Sequence, residues 1–198
     1  PAAISMRSYG MTYSYLYLPA NIHSGEIHHI SKIGQGVKVS KISLLNYGEI
    51  IDSKTEEKSY AFDVLVEKGY KKELKNFTSV GISGGYLFSS ITGFNSQLLF
   101  SNMGFRSRLL KKRVGIGFSL ENVGVLLKSY TNIKEPIPSL FRIALYYEPM
   151  YIPLIINLDV VKILGSNSFY FSSGLELKPK SQLTFRLGIS SQKSGYLT

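Results

Sequence analysis

The sequence predicts an all-β fold, an antiparallel up-and-down meander that forms part of a transmembrane outer-membrane β-barrel. Three observations predict it. Apolar residues alternate with small or polar ones along most of the 198-residue chain, which is typical of strands with two unlike faces. The predicted strands mostly have about 10 to 13 residues, close to the roughly 9 to 11 that cross a bilayer at a tilt. Charged residues are only 18%, below the roughly 25% of an average soluble domain.

The first predicted strand, residues 6–18, contains the stretch YGMTYSYLY. Tyrosine suits the two membrane interfaces, where its ring is apolar and its hydroxyl is hydrated. In a barrel we therefore expect the aromatic face to point outward. Five large residues along one strand exceed what two interfacial belts need, so Tyr13 at mid-strand is expected to contact a partner protein. The outward set is Tyr9, Met11, Tyr13, Tyr15 and Tyr17.

Nine further strands bring the expected number to about ten. Short turns between most of them leave no room for crossover helices, so consecutive strands should pair antiparallel. Longer connections are expected at residues 19–32, 47–57 and 124–138, the first with one helical turn at most. The nine strands are predicted at residues 33–46, 58–69, 76–90, 95–106, 113–122, 140–148, 152–163, 168–178 and 183–190.

The second face of these strands carries Gly, Ser, Thr and Asn with few charges, as expected for a crowded barrel lumen. The sparse charges on this face should pair with one another. Antiparallel pairing about turns near residues 150 and 180 would bring Arg142 close to Asp159 and Glu176 close to Arg186. We therefore predict two structural ion pairs in the lumen.

Positive charge concentrates at three predicted turns. The chain has 23 Lys and Arg against 13 Asp and Glu, a net charge of +10. In a meander these turns lie on the same rim, which would suit outer-membrane lipid or lipopolysaccharide phosphates. The alternative, that these residues only solvate hairpin turns, stays open. Nucleic acid is not an expected partner, because exposed aromatics do not interleave with the basic residues. The predicted basic rim comprises Lys71, Lys72, Lys75, Arg108, Lys111, Lys112, Lys178 and Lys180.

No residue pattern predicts an enzyme, a cofactor or a metal site. The chain has no cysteine, and nothing supplies a fourth ligand near His23, His28 and His29 at the spacing of a known motif. Glu121, Asp159 and Glu176 could form a carboxylate pair for hydrolysis, but they are expected to neutralise arginines instead.

These strands together resemble the PorV/PorQ family of outer-membrane proteins, themselves similar to the FadL fatty-acid transporters. The resemblance covers nearly the whole chain. It implies that residues 1–198 form a single β-barrel domain in a bacterial outer membrane, without the family's N-terminal plug and C-terminal closing strands. The stretches that carry it include PAAISM, KIGQGVKVSKISLLNYGEI, VGIGFSLENVG, IPSLFRIALYYEP, GLELKP and LTFRLGIS.

Two functions follow from the resemblance. PorV-like members act with the type IX secretion system, which implies that the chain binds secretion-system or cargo proteins and performs no chemistry. FadL-like members pass hydrophobic molecules through the lumen, which is the alternative.

Overall fold

A computed structural model describes residues 9–51, 58–74, 77–110, 113–131, 137–180 and 183–191. They form one antiparallel sheet of eleven strands in chain order. The strands are β1 (Gly10–Leu18), β2 (Ile22–Ile33), β3 (Gly36–Ile51), β4 (Lys58–Glu73), β5 (Thr78–Ile91), β6 (Phe94–Leu109), β7 (Val114–Lys128), β8 (Leu140–Tyr147), β9 (Leu154–Ile163), β10 (Phe169–Lys180) and β11 (Leu183–Ser190).

The predicted all-β antiparallel meander is confirmed, as an open sheet. Among the described residues β1 pairs only with β2, and β11 pairs only with β10. Such a sheet is compatible with part of a β-barrel, in which further pairing would cover both free edges. Where the chain is described, no helix is long and apolar enough to cross a membrane.

One strand was missed by the sequence prediction. Residues 19–32 were expected to be a connection, but Ile22–Ile33 form β2 after a single 3-10 turn at Pro19–Asn21. The stretch IHSGEIHHISKI has polar residues on both faces, so its alternation is weak. It becomes a strand because β1 and β3 pair with it on its two sides.

Tight hairpins set the register between several strands. Thr92 and Gly93, between β5 and β6, have φ values of 49° and 82°. Two consecutive positive φ angles define the type I′ turn, whose twist matches that of paired strands. Ile91 and Phe94 therefore face each other directly, and the pairing continues to Thr78 opposite Ser107.

The sheet has two unlike faces, which we call the apolar face and the polar face. Ala61 is the only buried residue with an apolar side chain in the described part of the chain, so the sheet has no conventional hydrophobic core. The pairing places on the apolar face residues such as Tyr13, Ile27, Ile42, Val66, Met103, Phe118, Ile143, Leu158, Phe171 and Leu187. It places on the polar face Ser14, Glu26, Ser43, Ser83, Asn102, Ser119, Arg142, Asp159, Ser172 and Arg186.

Candidate functional site

The apolar face presents large side chains that nothing in the described part of the chain covers. On β1, Tyr13 is 67% exposed and Met11 is 76% exposed, and on β11 Leu187 is 75% exposed. A monomer in water rarely leaves a contiguous apolar surface of this extent open, because its exposure costs about 25 cal/mol per Å². Such an exposed apolar face is typical of a surface that contacts lipid or another protein.

On the polar face, Glu26 is the centre of a charge cluster between β2 and β3. Its carboxylate lies 2.7 Å from Lys41 Nζ and 3.2 Å from His28 Nε2, and it accepts a hydrogen bond from Ser43 Oγ at 3.2 Å. Strand pairing produces this cluster, because Ser43 faces Glu26 and Lys41 faces His28. The cluster compensates its charges internally, as in a packed lumen.

Asn102 connects four strands on the same face. Its Nδ2 donates to Glu67 Oε1 on β4 at 3.3 Å and to Ser83 Oγ on β5 at 3.1 Å. Its Oδ1 accepts from the backbone N–H of Asn122 at 2.7 Å. Asn122 has a φ of 59° and lies in a β-bulge between β6 and β7. The bulge leaves the Asn122 N–H without a partner in the β-ladder, and the side-chain oxygen of Asn102 accepts its hydrogen bond instead.

One of the two predicted ion pairs is present. Glu176 lies directly opposite Arg186, and Arg186 Nε donates to Glu176 Oε2 at 2.6 Å. The predicted pair of Arg142 with Asp159 is not formed between these two described residues. Arg142 lies opposite Val161, and its Nε contacts Glu121 Oε1 at 3.2 Å. The turn between β8 and β9 is centred beyond residue 150. The residue opposite Arg142 is therefore Val161, two positions after Asp159 and on the same face of β9.

The predicted basic turns do share one rim, because the connections after β4, β6 and β10 all lie at the same end of the strands. Lys72 is exposed there, but Lys71 is only 8% exposed and contacts Glu73 at 3.1 Å on the polar face. Lys178 is partly neutralised, since its Nζ lies 2.5 Å from Glu176. Lys75, Lys111 and Lys112 lie outside the described residues, as does the side chain of Lys180.

Below this rim the polar face of β6 to β9 forms a cavity of about 420 Å³. Its floor is made of small residues, Gly104, Gly115, Gly117 and Ala144. Arg106, Glu121, Arg142 and Asp159 line it, and the Tyr146 ring covers Gly115 from one side. We call this cavity the trough.

No protein-family profile matches this chain, and no curated protein is significantly similar to it.

The candidate site therefore rests on geometry. Neither Arg106 nor Asn102 is among the site residues that the sequence predicts. Both belong to the fifth predicted strand, whose irregular pattern hid the side on which each residue lies. Once the register is known, Arg106 lies opposite Gly117 and Asn102 opposite Ser83.

The three histidines do not converge. Antiparallel pairing puts His28 on the polar face and His23 and His29 on the apolar face. His23 Nδ1 lies 2.5 Å from the Tyr15 hydroxyl, whereas His28 contacts Glu26. Within the described residues no group of three histidines and carboxylates is placed to hold a metal ion.

Proposed function

We propose that this chain forms part of the wall of a bacterial outer-membrane β-barrel that binds partner or cargo proteins of the type IX secretion system. The observation that carries the proposal is the exposed apolar face, which extends over all eleven strands and has no covering element in the described part of the chain. Lipid can cover such a face as a protein core would, provided that the backbone N–H and C=O groups of the strands are hydrogen-bonded to one another.

Strand length supports a membrane location. The five strands β3 to β7 have 14 to 16 residues each, more than the roughly 9 to 11 that cross the hydrocarbon layer. They would extend into the interface on both sides. The basic rim would then meet phosphate groups of lipid or lipopolysaccharide, to which each cation near an anionic surface contributes about 1 kcal/mol.

Protein binding is supported by the composition of β1. Tyr9 just before β1, and Met11, Tyr13, Tyr15 and Tyr17 on its apolar face, form a line of aromatic and methionine side chains, each more than half exposed. Tyrosine rings offer large contact areas at a low cost in conformational entropy, so they are enriched in protein interfaces. Beside them Gly25 leaves a notch on the apolar face, lined by Tyr13, Tyr15 and Ile42 among others.

The alternative, a channel for hydrophobic molecules, requires an apolar path along the polar face. The described residues there include the Glu26 cluster, the Asn102 contacts and the Glu121–Arg142 pair. Burying an apolar solute against these groups would remove water from them without replacing its hydrogen bonds.

The secretion role is tested by deleting the gene and measuring type IX substrates in the culture medium. Loss of these substrates, restored by the wild-type gene, is the expected result. Intact secretion would contradict the proposal, and an accompanying defect in the uptake of a hydrophobic molecule would favour the channel.

Partner contact at β1 is tested by photocrosslinking. A photoreactive phenylalanine analogue in place of Tyr13 should crosslink to a protein in cells. The same analogue in place of Ile143, on the apolar face of β8, is the matched control and should give lipid adducts only.

A further inference from the structure

The trough has opposite charges at its two ends. Strand pairing aligns four polar-face residues in one row across the sheet, with Arg106 on β6, Gly117 on β7, Ala144 on β8 and Asp159 on β9. Adjacent strands are about 4.8 Å apart, so the two charged residues are separated by roughly 14 Å along the sheet. Between these two residues the row contains only Gly117, with no side chain, and Ala144, with a single methyl group.

Arg106 and Asp159, at the two ends of the trough, both lack an ion-pair partner among the described residues. Every other carboxylate in that part of the chain has an ion pair or a hydrogen bond, whereas Asp159 has neither. The partnered carboxylates are Glu26, Glu49, Asp63, Glu67, Glu73, Glu121, Glu148 and Glu176.

The arginines show the same contrast. Arg142 and Arg186 each contact a glutamate, while Arg106, Arg108 and Arg113 have no carboxylate within ion-pair distance in the described residues. Arg108 lies two residues from Arg106 on the same face and opposite Gly115. Two neighbouring guanidinium groups repel each other, so a bound anion between them would be stabilised by both.

A free amide lies beside the acidic end. Asn157 is opposite Tyr146 and two residues from Asp159 on the polar face, and its exposed side chain has no hydrogen bond within the described residues. An asparagine amide offers both a donor and an acceptor, which matches the groups of a peptide bond.

We infer that the trough binds a short zwitterionic peptide in an extended conformation, with its carboxylate on Arg106 and Arg108 and its ammonium group on Asp159. The backbones of Arg106 and Asp159 are roughly 14 Å apart across the sheet, and a hydrogen bond of about 2.8 Å at each end takes up part of that distance. An extended tripeptide spans at most about 10 Å, which fits this space. The volume of about 420 Å³ is within the range of small-molecule sites. This inference does not depend on the secretion role.

The test uses the full chain refolded in a non-ionic detergent, with trialanine as the probe and calorimetry as the measurement. We expect saturable binding of trialanine to the wild type. Arg106→Gln and Asp159→Asn should each weaken it about tenfold, the loss typical of one charge-assisted hydrogen bond. Arg186→Gln, which removes an arginine on the polar face away from the trough, is the matched control and should bind as the wild type does.

Peptides with one blocked terminus show which end of the ligand contacts Arg106 and which contacts Asp159. N-acetyl-trialanine should bind the wild type about tenfold more weakly than trialanine does, and Asp159→Asn should cause no further loss. Trialanine amide, which lacks the carboxylate, should bind the wild type about tenfold more weakly than trialanine does. Arg106→Gln should cause no further loss of trialanine amide binding.

A steric variant tests the floor independently of charge. A Cβ at Gly117 would lie 3.6 Å from the nearest protein atoms, so Gly117→Ala should fold normally and still weaken binding. Absence of saturable trialanine binding, equal loss with Arg186→Gln, or equal binding of the blocked peptides would each overturn the inference.

Discussion

Glu176 on β10 and Arg186 on β11 lie directly opposite each other, with Arg186 Nε 2.6 Å from Glu176 Oε2. The other oxygen of this carboxylate lies 2.5 Å from Lys178 Nζ. One glutamate therefore holds two cations beside β11, the last strand of the described residues. All described residues of β11 are exposed, so this cluster is a main side-chain link that fixes β11 to the sheet.

Glu176→Gln is expected to loosen β11 without unfolding the sheet. Arg186 is 73% exposed, and exposed ion pairs contribute at most about 1 kcal/mol. Amide hydrogen exchange should accelerate several-fold in β11 and stay unchanged in β4 to β6. Glu49→Gln, which removes a comparable ion pair with Lys58, is the control and should leave β11 unaffected. Equal acceleration in both variants would argue against a local role for Glu176.

Adjacent residues on β9 test the assignment of the two faces to lipid and lumen. Leu158 is 46% exposed on the apolar face, and Asn157 is exposed on the polar face. Leu158→Arg should destabilise the protein in phospholipid vesicles by about 2–4 kcal/mol, the cost of an arginine near the bilayer midplane. Asn157→Arg should cost much less, because its side chain stays in water. Equilibrium unfolding in urea measures both, and similar losses would contradict the assignment.

Gly48 tests a close contact between the bulge of β3 and the turn after β1. Its φ is +75°, and a Cβ there would lie 2.8 Å from the carbonyl oxygen of Asn21. Gly48→Ala should cost roughly 1–2 kcal/mol for the left-handed backbone and about 1–3 kcal/mol more for the clash.

Gly34 provides the matched control for this variant. Its φ is +56° and a Cβ would meet nothing within 4 Å. Gly34→Ala should therefore lower the free energy of unfolding only by the cost of the left-handed backbone, roughly 1–2 kcal/mol. Urea unfolding of the two variants gives the difference. A Gly48→Ala variant no less stable than Gly34→Ala would show that the contact is absent.

Sequence alternation was sufficient to predict most of the fold. The period of two in Val114, Ile116, Phe118 and Leu120 identifies the apolar face, because successive strand side chains point to opposite faces of the sheet. The same rule failed for β2, where His23, Gly25 and His29 dilute the apolar face. Its strand conformation depends on pairing with β1 and β3, which no local pattern contains.

The charged contacts were less predictable than the fold. The Glu176–Arg186 pair follows from a turn close to residue 180, which KPKSQ marks clearly in the sequence. The loop between β8 and β9, with Pro149 and Pro153, does not reveal its centre, so Arg142 was assigned to Asp159 and not to Glu121. The trough could not be predicted, because aligning Arg106 with Asp159 requires the register of four strands.

The central claim is that the apolar face contacts lipid, and a cysteine scan along β9 tests it most directly. The chain has no cysteine, so each residue from 154 to 163 can carry a single nitroxide spin label after substitution. In phospholipid vesicles, labels at Ile156, Leu158 and Val160 should be accessible to oxygen, and labels at Asn157, Asp159 and Val161 to a water-soluble nickel complex. Accessibility that alternates with a period of two is the predicted result. Equal access of the nickel complex to both sets would contradict the claim.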